Sequence, residues 1–219
     1  MRTDFHTHTF LSDGALSPVE QLRRAEVHGY EAIALTDHVD LGTLSILLPA
    51  LVRACESYQP HTPMLCLPGC EVTHVPPTGI REVVDAARRL GARIVVVHGE
   101  TPNEPVATGT NRAAIEAGCD ILAHPGFITD DELELAKSRG VRIELSARAG
   151  HSLANGHIVS VNRHVRAPLV INSDAHAHTD FLSEDRRRIV GLGAGLRESD
   201  LIEITANQAQ LARRLAGSP

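Results

Sequence analysis

The 219 residues suffice for one ordinary domain with a full core, 42% of them being apolar. A formal charge of -6, with no basic block longer than Arg186-Arg187-Arg188, excludes the electrostatic footprint of a duplex nucleic-acid binder. No apolar run approaches the ~20 residues of a membrane span, and no signal-peptide apolar region precedes the first strand. Cys55, Cys66, Cys70 and Cys119 lack C-x-x-C spacing, so free thiols in a cytoplasmic protein are expected, with Cys66 and Cys70 in buried strands.

The chain opens on Asp4-Phe-His6-Thr-His8 in a strand predicted over residues 2–8. Strand alternation puts Asp4, His6 and His8 on one side, where two imidazoles could meet a metal ion. A helix follows, with Ser17 as N-cap, Pro18 at its first position and Glu20 closing a capping box. Its predicted apolar stripe is Val19, Leu22 and Ala25, and Gly29 ends it. The second strand, residues 32–35, stops at Asp37-His38, and an apolar helix spans about 43–57. The third strand, residues 64–67, runs toward Glu71. A helix over about 80–90 leads to the β-branched run 93–97, a doubly buried strand that delivers His98.

A helix near 109–117 then precedes strand 120–123 and His124. Thr129-Asp-Asp-Glu132 is a capping box, starting a helix that Gly140 closes. Residues 141–145 and 169–172 are strands six and seven, with a helix near 156–166 between them. From about Ser199 the tail is helical, fraying at Gly217-Ser218-Pro219. Seven strand–helix units predict a single α/β domain with a parallel sheet. An open doubly wound sheet collects ligands at one switch point. Here nearly every strand ends on histidine or a carboxylate, and those residues converge only if the strands form a ring. A barrel is predicted.

The ordered motifs D-F-H-T-H, Ser12-Asp13-Gly14, T-D-H at residues 36–38, G-x-E ending at Glu71, His98-Gly99, A-H-P-G around His124 and Ser173-Asp174-Ala175-His176 resemble those of the PHP (polymerase and histidinol phosphatase) family. The resemblance covers residues 2–178 and implies a distorted (β/α)7 TIM-like barrel holding two or three divalent metal ions, Zn²⁺, Mn²⁺ or Fe²⁺. It also implies phosphoester hydrolysis, with stand-alone histidinol-phosphate phosphatase-like proteins as the nearest comparison. Carried over by motif, His6, His8, Glu71 and Asp174 would hold the first ion. Glu71 would bridge to a second held by His98 and His124, and Asp13, His38 and His176 would hold the third. Many relatives have histidine where this chain has Asp13, a harder anionic ligand that favours Mn²⁺, Fe²⁺ or Mg²⁺ over Zn²⁺ at that site.

Such ions, ~3.5–4 Å apart, would activate water and clamp the oxygens of an in-line displacement on a small phosphomonoester. Asp37 and Asp4 are expected to fix imidazole tautomers. Arg148 is a candidate phosphate fork and His151 a candidate general acid for the leaving alkoxide. Glu100, His74 and His157 are weaker pocket candidates. A phosphodiesterase acting on short oligonucleotides is the runner-up, although 3% aromatic content argues against a stacking groove. An amidohydrolase bridging its metals with a modified lysine is disfavoured, because Lys137, the only lysine, lies mid-helix. A non-catalytic metal-binding module would leave ligand positions vacant, and all nine are filled.

Overall fold

A computed structural model describes residues 1–217. Its sheet is entirely parallel, in the order β1 (Thr3–Asp4), β2 (Ala32–Leu35), β4 (Leu65–Val72), β5 (Ile94–His98), β6 (Ile121–Ala123), β7 (Arg142–Ser146), β8 (Leu169–Asn172). The short β3 (His38–Val39) pairs His38 with Glu71, the same sequence offset that pairs Leu35 with Pro68. It therefore continues β2 after an interruption at Thr36-Asp37, and the barrel has seven staves, as predicted. The gap between β1 and β8 is bridged by Thr7 beside Ala175 and by Phe5 N–H donating to the Asn172 side chain at 3.1 Å. The barrel is nearly closed.

Helices α1 (Pro18–Val27), α2 (Leu44–Tyr58), α3 (Ile80–Arg89), α4 (Thr110–Ala117), α5 (Asp130–Arg139), α6 (Asn155–Val165), α7 (Glu184–Gly193) and α8 (Glu198–Gly217) accompany the sheet. Alternation divides each strand between two environments. Val95, Val97, Leu122, Ile143 and Ile171 pack in one buried cluster with helical residues such as Val83, Ile115 and Ile158. Ala32, Leu67, Ile94, Ile121 and Val170 form a second cluster, sealed by Leu211, Ala212 and Leu215 of α8. Further along the same inward parity come Glu71, His98, Glu144 and Asn172, all buried. The floor is thus apolar and the C-terminal rim polar, which fixes where chemistry can occur.

Several local expectations need correction. The first strand pairs regularly only over Thr3–Asp4, because Phe5 N–H turns to Asn172. Val19 is 45% exposed and Gln21 occupies the buried face, its amide donating to the His8 carbonyl at 3.1 Å. Ser17 caps α1 by accepting from Glu20 N–H at 3.2 Å, but the Glu20 carboxylate pairs with Arg24, so only half the box forms. The Thr129–Glu132 box is complete. Helix α7, capped by Ser183, has no counterpart in the predicted elements. Ser218 and Pro219 of the predicted fraying end lie outside the described residues. All four cysteines are buried and free. No helix among the described residues is long and apolar enough to cross a membrane.

Candidate metal centre

The rim brings all nine predicted ligands together around Glu71. Its Oε1 lies 3.3 Å from His6 Nε2, 3.2 Å from His98 Nδ1 and 3.4 Å from His124 Nε2. Its Oε2 lies 2.7 Å from His38 Nδ1 and 3.6 Å from His8 Nε2. Asp174 adds a second focus, with Oδ1 3.3 Å from His8 Nε2 and 3.5 Å from His176 Nδ1. Its Oδ2 stands 3.9 Å from His124 Nε2. Asp13 Oδ2 approaches His176 Nε2 at 3.1 Å and His38 Nε2 at 3.6 Å.

Backbone geometry aims these groups. His124 and Asp174 follow β6 and β8 with φ of 28° and 54°, a left-handed turn that non-glycine residues rarely adopt and that functional sites retain. Gly99 is required by a close approach: a Cβ there would lie 2.4 Å from the Ala123 carbonyl oxygen and 2.7 Å from Pro125 Cα. The bare backbone lets the ends of β5 and β6 converge, so the His98 and His124 rings stand 4.4 Å apart.

The donor set fits divalent ions. His6 Nε2, both nitrogens of His8 and His98, Glu71 Oε1 and Asp174 Oδ1 are buried without hydrogen-bond partners. Orphaned polar atoms are costly unless something satisfies them, and these face one another. Two ligands each ~2.1 Å from one ion at a tetrahedral angle are roughly 3.4 Å apart, close to the separations around Glu71. Four groups of potential ligands share the nine residues: His6–His8–Glu71, His6–His124–Asp174, His38–Glu71–His98 and His8–Asp13–His38–His176. His8 therefore also reaches the third predicted set, and His38 also reaches the second.

Electrostatics fit the same reading. Burial opposes charge on His6, but Glu144, Glu71 and Asp174 outweigh it and hold the imidazole well above its usual range. Burial is likewise overcome for His38, raised to about 10 chiefly by Glu71, and for His98, raised to about 9 by Glu71 and Glu104. His8 goes the other way, lowered by burial to about 4. Burial would raise the Glu71 carboxyl, yet the His6, His38 and His98 charges keep it well below the ordinary range. His6, His38 and His98 therefore carry protons near pH 7 in apo-protein, whereas ligation needs the neutral ring. Metal loading at pH 7 is expected to release protons, and apparent affinity is expected to rise with pH toward about 9–10, where these rings deprotonate. Calorimetry in buffers of different protonation enthalpy reads the release directly, and loading with no proton release contradicts the arrangement.

The predicted supporting residues divide. Asp37 touches no imidazole; it accepts from Thr9 N–H at 2.9 Å and from the Ser12 hydroxyl at 2.7 Å, tying down the loop that carries Asp13. Asp4 accepts from Ser173 N–H at 3.2 Å and holds β1 to the segment bearing Asp174. The orienting carboxylate is Glu144, which the sequence reading missed: its Oε2 lies 2.8 Å from His6 Nδ1 and accepts from the Asn172 amide at 2.9 Å. Thr73 plays the corresponding part at His38, with Oγ1 2.7 Å from Nδ1.

Arg148 reaches the rim, its guanidinium donating to the Asp174 carbonyl at 3.4 Å. His151 stacks on His124 with centroids 4.1 Å apart and is held by Thr101 Oγ1 at 3.0 Å. Burial first, then the His124 charge, lowers its ring to about 4. Glu100 is a loop anchor, accepting from the backbone of Gly109 and Asn111 at 2.9 and 3.0 Å. His157 is bonded to the Ile128 carbonyl oxygen, away from the cluster. His74 lies beside Glu104, a second carboxylate missed in the sequence because it sits on a loop.

The chain matches the family model described as PHP domain over residues 4–101. An uncharacterised protein of Methanocaldococcus jannaschii is 42% identical over 203 residues, covering 92% of this chain and 93% of that protein. A chain in the structure of archaeal ribonuclease P with mature tRNA superposes with a TM-score of 0.72 at 17% identity, covering 98% of this chain and 91% of that one. Histidinol phosphate phosphatase from Lactococcus lactis subsp. lactis Il1403, complexed with zinc, L-histidinol and phosphate, gives 0.58 at 14% identity, covering 90% and 94%. At these identities the two structures are likenesses of fold.

Proposed function

The chain belongs to the PHP domain family of metal-dependent phosphoesterases, and we propose that it hydrolyses a small phosphomonoester at the rim of its barrel. The observation that carries this reading is Glu71, one buried carboxylate facing five imidazoles with its two oxygens. That is the arrangement of a carboxylate shared between ions. His6, His8, Asp13, His38, Glu71, His98, His124, Asp174 and His176 would hold two or three divalent ions of the zinc, manganese or iron type. Bound there, the ions supply Lewis acidity toward phosphoryl oxygens and lower the pKa of water for in-line attack.

The remaining work falls to the chain itself. Glu144 holds His6 by Nδ1 so that Nε2 faces Glu71, and Thr73 steadies His38 at the Nδ1 edge that also meets Glu71, leaving its Nε2 toward Asp13. Asp37 fixes the loop bearing Asp13. Arg148, released from the Asp174 carbonyl, can fork two phosphate oxygens. His151, neutral as it stands, offers a ring N–H to a phosphate or leaving-group oxygen rather than a full proton. The small-monoester reading is supported by the related fold of a phosphatase holding L-histidinol and phosphate. It is also supported by the absence of a basic block longer than three residues.

The test is a panel of phosphomonoesters and phosphodiesters, assayed at pH 7–9 after reconstitution with Mn²⁺ or Zn²⁺. Monoesters are expected to turn over faster than diesters. Activity confined to diesters would transfer the assignment to a phosphodiesterase on short oligonucleotides, and amide hydrolysis alone would remove phosphate chemistry altogether.

A further inference from the structure

We propose a further divalent-cation site at the barrel mouth, made by His74, Glu104 and the outer nitrogen of His98. Glu104 Oε2 lies 3.3 Å from His74 Nε2 and 3.3 Å from His98 Nε2. The three residues offer donor atoms that all fall within 4.8 Å of one another. These separations again suit two ligands on one tetrahedral ion, roughly 3.4 Å apart. His98 Nε2 is buried and has no hydrogen-bond partner, so an ion there would satisfy it.

The backbone points to the same place. His74 has φ 53°, so the chain accepts a left-handed residue to turn this ring toward Glu104. Beside His74 and His98 is a cavity of about 160 Å³, walled mostly by apolar groups such as Val72, Val97 and Pro105. Two imidazoles and one carboxylate suit Zn²⁺ with an open position.

His98 belongs to both sites by its two ring nitrogens, Nδ1 facing Glu71 and Nε2 facing Glu104. With an ion on one side only, the ring is neutral and keeps one N–H. With ions on both sides, that last proton would have to pass to solvent for each nitrogen to serve one ion.

The test is equilibrium dialysis of the full chain against rising Zn²⁺, with bound metal read by mass spectrometry for wild type, His74→Asn and Glu104→Gln. Asparagine tolerates the left-handed backbone, and glutamine keeps the shape of Glu104. Each variant is expected to bind one equivalent fewer than wild type, with its tighter equivalents retained. Identical curves for all three proteins would overturn the site, reducing it to an ion pair. Loss of every equivalent in both variants would also overturn it, since the ions would then form one inseparable centre. The readout needs no substrate, so it stands apart from the hydrolytic assignment.

Discussion

Glu71→Gln is expected to remove at least one tightly held ion and lower hydrolysis by about a thousandfold or more. The amide keeps the volume and one acceptor but loses the charge and turns an NH₂ toward imidazoles. Lewis-acid stabilisation by such ions amounts to several kcal/mol of transition-state energy, and each ~1.4 kcal/mol is tenfold in rate. The lost charge also releases His38 and His98 from their largest raising influence, so both rings should titrate lower. Elemental analysis and steady-state kinetics on the same preparation check this. Full metal content with unchanged turnover would mean that Glu71 is not shared between ions.

Glu144→Gln carries the next largest effect. Partners that orient a ligating histidine typically contribute about 10–100-fold in metal affinity, and Glu144 is the buried carboxylate 2.8 Å from His6 Nδ1. It also accepts from the Asn172 amide, whose own oxygen receives Phe5 N–H across the barrel seam. The substitution should weaken metal binding by about 10–100-fold and cost roughly 1–3 kcal/mol of stability if the Asn172 donor loses its acceptor. Competition with a chromophoric chelator measures the first, and denaturant unfolding of apo-protein measures the second. Destabilisation without any change in affinity would make Glu144 a seam residue only.

Much of this centre was legible because its chemistry sits where strands end. His38, Glu71, His98 and His124 each terminate or follow an apolar run, and such positions in a parallel barrel share one rim. The stave count was legible too, since β2 and β3 keep one register through the Thr36-Asp37 break. Glu144 was not legible: inside a strand, flanked by Ile143 and Leu145, it reads as an ordinary alternating polar residue. Only the closed ring places it under His6. Glu104 was hidden on a loop, where sequence carries no direction. Asp37 misled through proximity to His38; the β2–β3 break turns its carboxylate to Thr9 and Ser12 instead. Helix α7 escaped because its Glu-Asp-Arg-Arg-Arg start has no apolar period, although the Ser183 cap was present.

The most direct measurement is anomalous diffraction, at the metal absorption edge, from crystals grown with Mn²⁺ or Zn²⁺. The expected map has at least two peaks between Glu71 and Asp174, each ~2.0–2.2 Å from imidazole nitrogens and carboxylate oxygens of the nine residues. Peaks confined to the molecular surface, or none within bonding distance of Glu71, would contradict a shared metal cage and with it the hydrolysis proposed here.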